Sequence, residues 1–227
     1  MTRRTNAGLA GCAFLAYIVA GITSMVLMRR VAGGEDVAAK LAGIAHHPNQ
    51  VGAIMLLHMV ECFSALILAV TLYAITRDED RDLALLAGVC RVVEGVNAGL
   101  SVPELSSLRW LAAQTGADAP DPPALRALGL YLFHGDLAFI ATFFAVGSLL
   151  FSWLLLRGRM IPAIIAWTGI IASALLVVGL PLQLGGFVAG PITQLMWLPM
   201  LAFEVPVAVW FIVKGVRPAA RVLDSAG

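Results

Sequence analysis

Seven ionisable side chains lie inside long apolar segments of the chain, where charged residues are otherwise rare. They are His58, Glu61, Arg91, Glu94, His134, Asp136 and Glu204. A charged side chain at the centre of a membrane helix costs about 2.5 to 3.5 kcal/mol on insertion scales, so such residues usually face the interior of a helix bundle. Surroundings of low dielectric favour the neutral forms of carboxylates and histidines, which makes both useful proton donors and acceptors near neutral pH.

Helical spacing predicts that several of these side chains converge. His58 and Glu61 are three residues apart and share one helical face, and Arg91, Glu94 and Asn97 form a polar stripe. Asp136 follows His134 by two residues, which corresponds to about 200° around an ideal helix, so either Asp136 faces a different partner or the helix is irregular at Gly135.

Acid–base chemistry in a membrane is the function that this inventory favours. A histidine paired with a carboxylate, either His58 with Glu61 or His134 with Glu204, could move a proton to or from an apolar substrate. Arg91 and Asn97 would bind an anionic head group or a developing negative charge. We therefore predict a membrane-embedded enzyme that isomerises, cyclises or hydrolyses a small hydrophobic or lipid-like substrate, with Asp136 as a further candidate catalytic residue.

A metal-dependent version of this site is less favoured. Four carboxylates and two histidines match the ligand count of a carboxylate-bridged di-iron bundle, but those proteins use Glu-x-x-His on two helices. This chain has one reversed His-x-x-Glu pair, and Arg91 would repel a cation. The sequence requires no cofactor. A di-metal site would draw its ligands from His58, Glu61, Glu94, His134 and Glu204, and a haem would bind between His58 and His134.

Two other functions remain open for the same residues. The polar groups could hold the helices together through hydrogen bonds, or they could relay protons or ions in a coupled transporter. Pro181, Pro191, Pro199 and Pro206 interrupt the last two apolar runs. Broken helices of this kind occur in transporters, although prolines are tolerated in membrane bundles in general.

The amino-acid composition indicates the class of protein in which these residues lie. The 227 residues are 60% hydrophobic and 13% charged, whereas soluble domains are about 45 to 50% apolar. The chain is therefore predicted to be an integral membrane protein. Its 15 basic and 14 acidic residues nearly cancel, which excludes a field suited to nucleic acid. The predicted partners are the lipid bilayer and a small hydrophobic substrate.

The apolar runs predict one all-α domain over 1–227, a bundle of six transmembrane helices. The spans are placed near 7–28, 51–76, 83–101, 126–156, 160–184 and 194–214, each long enough for about 30 Å of hydrocarbon. Two short amphipathic helices, 35–45 and 102–113, are predicted to lie in the outer interface. The flanking basic residues favour a topology with both termini in the cytoplasm.

Several short motifs follow one another in a characteristic order along nearly the whole chain. They include the run from Leu83 to Arg91, His134-Gly135, the run from Leu155 to Pro162, and Phe203-Glu204. This order resembles a bacterial membrane family catalogued as domain of unknown function 4386. The resemblance implies a six-helix protein of the bacterial inner membrane, with Arg91, His134 and Glu204 at the polar positions of the family. His58, Glu61, Glu94 and Asp136 lie outside that pattern and would be a specialisation of this protein.

Overall fold

The protein is helical in a computed structural model that describes residues 1–114, 121–134 and 138–217, and no strand occurs in these ranges. The helices are Arg3–Val31 (α1), Val37–His46 (α2), Pro48–Thr76 (α3), Arg81–Ala112 (α4), Pro122–Phe133 (α5), Ala138–Arg157 (α6), Ala163–Leu184 (α7), Ile192–Leu195 (α8) and Leu198–Val213 (α9).

Six segments are long and apolar enough to cross a membrane. Helices α1, α3, α4 and α7 each form one, and the remaining two are Pro122–Arg157 and Ile192–Val213. Large apolar side chains such as Val70, Ile164 and Val178 are exposed on these segments, which suits contact with lipid and not with water. The prediction of an all-α, six-span, multi-pass membrane protein is confirmed.

The third span is longer than the hydropathy pattern indicates. We expected it to end at Ser101 and a separate helix to begin there, but α4 continues through Pro103 to Ala112. A proline inside a helix removes one backbone hydrogen bond. That loss is offset because Leu105, Leu108 and Leu111 lie buried in an apolar core. The predicted helix 35–45 corresponds to α2, where the Asp36 side chain accepts from the Ala39 amide at 2.7 Å.

The fourth and sixth predicted spans are each divided into two helices. Helix α5 ends at Phe133, with His134 as its C-cap in a non-helical backbone conformation, and α6 begins at Ala138. In the sixth span, α8 ends at Leu195 and α9 begins at Leu198. A span that is predicted from average hydropathy is therefore not always one continuous helix.

Backbone packing divides the chain into two compact units, to which α1, α3 and α4 each contribute residues. Unit 1 comprises Met1–Ala16, Phe63–Gly95 and Leu137–Gly227, and unit 2 comprises Tyr17–Cys62 and Val96–Asp136. The core of unit 1 includes the buried side chains Phe14, Leu72, Phe151, Leu176 and Phe211. The core of unit 2 includes the buried side chains Val31, Leu41, Ile54, Leu105 and Leu111.

Candidate functional site

Unit 1 contains a buried ion-pair cluster centred on Arg91, which we call the Arg91 cluster. Its members are Arg91 and Glu94 on α4, Ser148 on α6 and Glu204 on α9. All four are buried, and only 1% of the Arg91 side chain is exposed. An arginine at this depth must be compensated by other groups of the protein, because isolated buried charges are strongly unfavourable.

The guanidinium group of Arg91 contacts all three other members. Nη1 donates to Oε2 and Oε1 of Glu94 at 3.0 and 3.3 Å, and Nη2 donates to Ser148 Oγ at 2.8 Å. Nη2 also lies 3.7 Å from Oε1 of Glu204. The planar fork of an arginine can serve several acceptors at once, so one cation connects three helices.

Aromatic rings and a glycine complete the surroundings of Arg91. The guanidinium carbon lies 4.7 Å from the ring centre of Phe144 and 5.6 Å from that of Phe14, within the range of cation–π attraction. Gly147 allows α6 to approach α4 closely. A Cβ atom at this position would lie 3.1 Å from Cys90 Cβ and 3.2 Å from the carbonyl oxygen of Ala87.

The Arg91 cluster leaves little room for a substrate. A cavity beside Arg91 has a volume of about 10 Å³, whereas pockets for small organic ligands measure about 300 to 1,000 Å³. The arrangement is well suited to joining helices and to holding a charge or a proton. In this conformation it is not suited to binding a lipid-like molecule.

Unit 2 contains a second polar cluster, which we call the His58 cluster. It consists of His58 and Glu61 on α3 and Ser24 on α1. Ser24 Oγ lies within donating distance of Glu61 Oε1, at 3.0 Å, and equally of the carbonyl oxygen of Gly21, at 3.0 Å. The other carboxylate oxygen, Oε2, lies 3.5 Å from His58 Nδ1.

The His58 cluster is less enclosed than the Arg91 cluster. The His58 side chain is 22% exposed and that of Glu61 12%. At Gly21, an added Cβ would meet only the carboxyl group of Glu61, at 3.9 Å, which is ordinary van der Waals contact. A reactant could therefore reach the imidazole ring more easily than the Arg91 guanidinium.

Two members of these clusters, Ser24 and Ser148, are absent from the residues that sequence reasoning selected. A serine in an apolar run carries no charge and commonly bonds to its own helix backbone. Polarity at the same membrane depth as an ionisable neighbour is the only signal in the sequence that could have identified them.

The other candidate residues are distributed as follows. Asn97 lies half-buried on α4 within unit 2, and His134 is the exposed C-cap of α5. Asp136 lies outside the described residues. His134 belongs to unit 2 and Glu204 to unit 1, and their pairing stays a prediction. A haem between His58 and His134 also stays a prediction.

The described part of the chain brings no three His, Cys, Asp or Glu side chains close enough together to hold a metal ion. Glu94 and Glu204 share the guanidinium of Arg91, whose positive charge would oppose a cation at this position. The geometry around these two carboxylates therefore favours the metal-free interpretation of the cluster.

Comparison with known proteins identifies the family. A family model described as "Domain of unknown function (DUF4386)" matches residues 9–215, most of the chain, so the protein belongs to this family. The resemblance inferred from the motif order is thereby confirmed. No curated protein and no solved structure matches the chain. The description of the family names no reaction, so the function must be argued from the two clusters.

Proposed function

We propose that this member of the DUF4386 family is a membrane-embedded enzyme in which His58 and Glu61 are the acid–base pair. Its substrate is a small hydrophobic or lipid-like molecule that arrives from the bilayer. The observation that carries the proposal is the 3.5 Å approach of His58 Nδ1 to Glu61 Oε2, with Ser24 within donating distance of the other carboxylate oxygen. A nucleophile or base oriented by a second, fixed group is the recurring arrangement of proton-transfer sites.

The carboxylate gives the histidine a defined role. A carboxylate beside Nδ1 favours the tautomer that carries hydrogen on Nδ1, which leaves Nε2 as the base. The distance of 3.5 Å exceeds the usual 2.7 to 3.2 Å of a hydrogen bond. His58 Nδ1 has no hydrogen-bond partner within the described ranges. Such catalytic contacts are often long before a substrate binds and shorten in the complex.

Three reaction classes use this pair in the same way. In isomerisation or cyclisation, His58 Nε2 exchanges a proton with a substrate carbon. In hydrolysis it removes a proton from the attacking water and then donates it to the leaving group as the scissile bond breaks. In each case Glu61 stabilises the imidazolium that forms. Asn97 keeps its proposed role in substrate binding. Arg91 is assigned a structural role, because Glu94 and Ser148 already accept hydrogen bonds from it.

We further propose that both termini are cytoplasmic, in a bacterial inner membrane. Three of the segments expected inside the cell meet within unit 1. Arg3 at the start of α1 bonds to Asp78 in the α3–α4 turn at 2.6 Å, and Arg157 at the end of α6 lies 3.6 Å from Asp80. These contacts support one common side for the three segments, and the excess of basic residues supports the cytoplasmic side.

Isotope incorporation from solvent tests the enzyme proposal. The purified protein is reconstituted into liposomes of total bacterial lipid extract, incubated in D₂O or H₂¹⁸O, and the lipids are profiled by mass spectrometry. Isomerisation or cyclisation introduces deuterium at carbon, and hydrolysis introduces ¹⁸O. We expect incorporation with the wild type, and its loss in His58→Ala and Glu61→Gln.

His46→Ala is the matched control, because the ring of His46 contacts the carbonyl oxygen of Ala42 in its own helix. It should retain wild-type incorporation. The proposal is wrong if folded wild-type protein incorporates no more isotope than empty liposomes, or if His58→Ala and Glu61→Gln match the wild type.

A proton-coupled transporter is the second candidate, favoured by the Arg91 cluster. One guanidinium faces two buried carboxylates, so a proton on one of them would make the cluster neutral. This candidate predicts proton flux in liposomes with an internal pH dye, and a loss of flux in Glu204→Gln but not in the exposed Glu104→Gln. Flux no greater than in empty liposomes would exclude it.

A further inference from the structure

We infer that the cavity beside Arg91 is a binding site for one ordered water molecule, held by the hydroxyl groups of Ser148 and Ser152. This site is separate from the His58 cluster and does not depend on the proposed enzymatic function. Three observations carry the inference, namely the size of the cavity, the hydrogen-bonding state of Ser152 and the charges that surround it.

The cavity is the size of a single water molecule. Its volume is about 10 Å³, and a space of about 10 to 15 Å³ accommodates one water by this kind of measure. Most of the lining is aromatic or aliphatic, as at Phe14, Phe151 and Phe203. The polar part of the lining comes from the arginine and the two serines.

Ser152 supplies a buried hydroxyl group that needs a partner. It is 0% exposed, and its Oγ has no hydrogen-bond partner in the part of the chain that the structure describes. A buried hydroxyl group without a hydrogen-bond partner is energetically unfavourable. Gly169 of α7 closes one side of Ser152, since a Cβ at Gly169 would collide with Ser152 Oγ. Gly169 has no side chain that could be a partner, whereas the cavity that Ser152 also lines has space for one.

Ser148 and Arg91 provide the remaining polar groups. Ser148 lies four residues before Ser152 on α6, which places the two hydroxyl groups on the same helical face. Ser148 Oγ accepts from Arg91 Nη2 at 2.8 Å, and a hydroxyl group can accept and donate at the same time. A water in the cavity would thus have the hydroxyl groups of Ser148 and Ser152 as partners, which is within the range of two to four that buried waters have.

The local charges favour a neutral ligand over an ion. An anion would face Glu94 and Glu204, which together already exceed the single charge of Arg91. A cation would lie beside the guanidinium group, and no carboxylate belongs to the described lining of the cavity. Water carries no net charge and both donates and accepts, so it satisfies Ser152 without disturbing the ion pairs.

A crystal structure grown in a lipidic mesophase, at a resolution that shows ordered waters, tests the inference. We expect a water peak within hydrogen-bonding distance of Ser148 Oγ and Ser152 Oγ in the wild type, and no peak in Ser152→Val. Ser173→Ala is the control, because Ser173 is equally buried but does not line the cavity, and it should retain the peak. A wild-type map with these side chains resolved and no peak between them overturns the inference.

Thermal unfolding in detergent gives a second readout. If the water is present, Ser152→Val expels it and removes a partner from Ser148, so its melting temperature falls below that of Ser152→Ala. If the cavity is dry, the larger side chain fills an apolar space and its melting temperature exceeds that of Ser152→Ala. The second order of melting temperatures contradicts the inference. Neither result bears on the isotope experiment with His58, so the two proposals can fail separately.

Discussion

Each cluster contains a pair of ionisable residues with the same spacing in the sequence, but the two pairs differ in exposure and hydrogen bonding. Arg91 and Glu94 are three residues apart on α4, and His58 and Glu61 are three residues apart on α3. In unit 1 the cation is 1% exposed and donates hydrogen bonds to the carboxylate and to a serine. In unit 2 the histidine is 22% exposed and lies 3.5 Å from its carboxylate. Spacing places a pair on one helical face, but the neighbouring helices decide whether the pair is buried and hydrogen-bonded.

The difference has an energetic consequence. Removing one member of a buried ion pair costs about 3 to 5 kcal/mol, because the remaining charge is left without compensation. A hydrogen bond between membrane helices contributes about 0.6 kcal/mol on average. The Arg91 cluster is therefore expected to contribute much more to the stability of the protein than the His58 cluster.

The largest effect is expected for Arg91→Ala. This change leaves Glu94 and Glu204 buried without their cation, so the free energy of unfolding should fall by about 3 to 5 kcal/mol. Chemical unfolding in detergent micelles measures it. Arg109→Ala, at an exposed position of the same helix, should change stability by less than about 0.5 kcal/mol. Equal effects of the two substitutions would show that the ion pairs of Arg91 do not stabilise the protein.

A smaller effect, and a direct comparison of the clusters, comes from the two carboxylates. Glu94→Gln weakens two charge-assisted hydrogen bonds from Arg91 and should destabilise the protein by about 1 to 3 kcal/mol. Glu61→Gln keeps an amide oxygen that can accept from Ser24, so the loss should stay below about 1 kcal/mol. The same unfolding experiment measures both, with Glu104→Gln as the exposed control. Equal losses would contradict the distinction between the clusters.

The two glycines beside the clusters should respond in opposite directions. Gly147→Ala places a Cβ 3.2 Å from a backbone carbonyl of α4, and such overpacking costs about 1 to 3 kcal/mol. Gly21→Ala meets only the Glu61 carboxyl at 3.9 Å. Alanine is favoured over glycine inside a helix by about 0.5 to 1 kcal/mol, so this change should stabilise the protein slightly. A melting temperature that falls equally in both variants would disprove the looser packing inferred around Glu61.

Much of the fold was predictable because long apolar runs have few stable solutions. The spans and the α2 helix follow from composition and hydropathy. The continuation of α4 past Pro103 does not, since it depends on the burial of Leu105, Leu108 and Leu111 in a core that other segments build. The sequence does mark the end of α5 with the polar residue His134, but a hydropathy average over the whole span does not show this division.

The ionisable residues of the candidate site could be predicted from the sequence, but the serines that contact them could not. His58, Glu61, Arg91, Glu94 and Glu204 are visible as exceptions in an apolar sequence, because the membrane penalises each of them. Ser24 and Ser148 are neutral and common, and only their contacts distinguish them from other serines.

By itself, the amino-acid sequence determined that this protein crosses the membrane as helices, because backbone groups in lipid must bond within their own segment. It also determined that Arg91 lies on the same helical face as Glu94, and His58 as Glu61, since the helical period is a local property. Only the tertiary structure decided which pair is buried and hydrogen-bonded by other helices. Ser148 and Glu204 reach Arg91 from α6 and α9, and Ser24 reaches Glu61 from α1. Those approaches depend on how helices distant in sequence pack together, which no local pattern encodes.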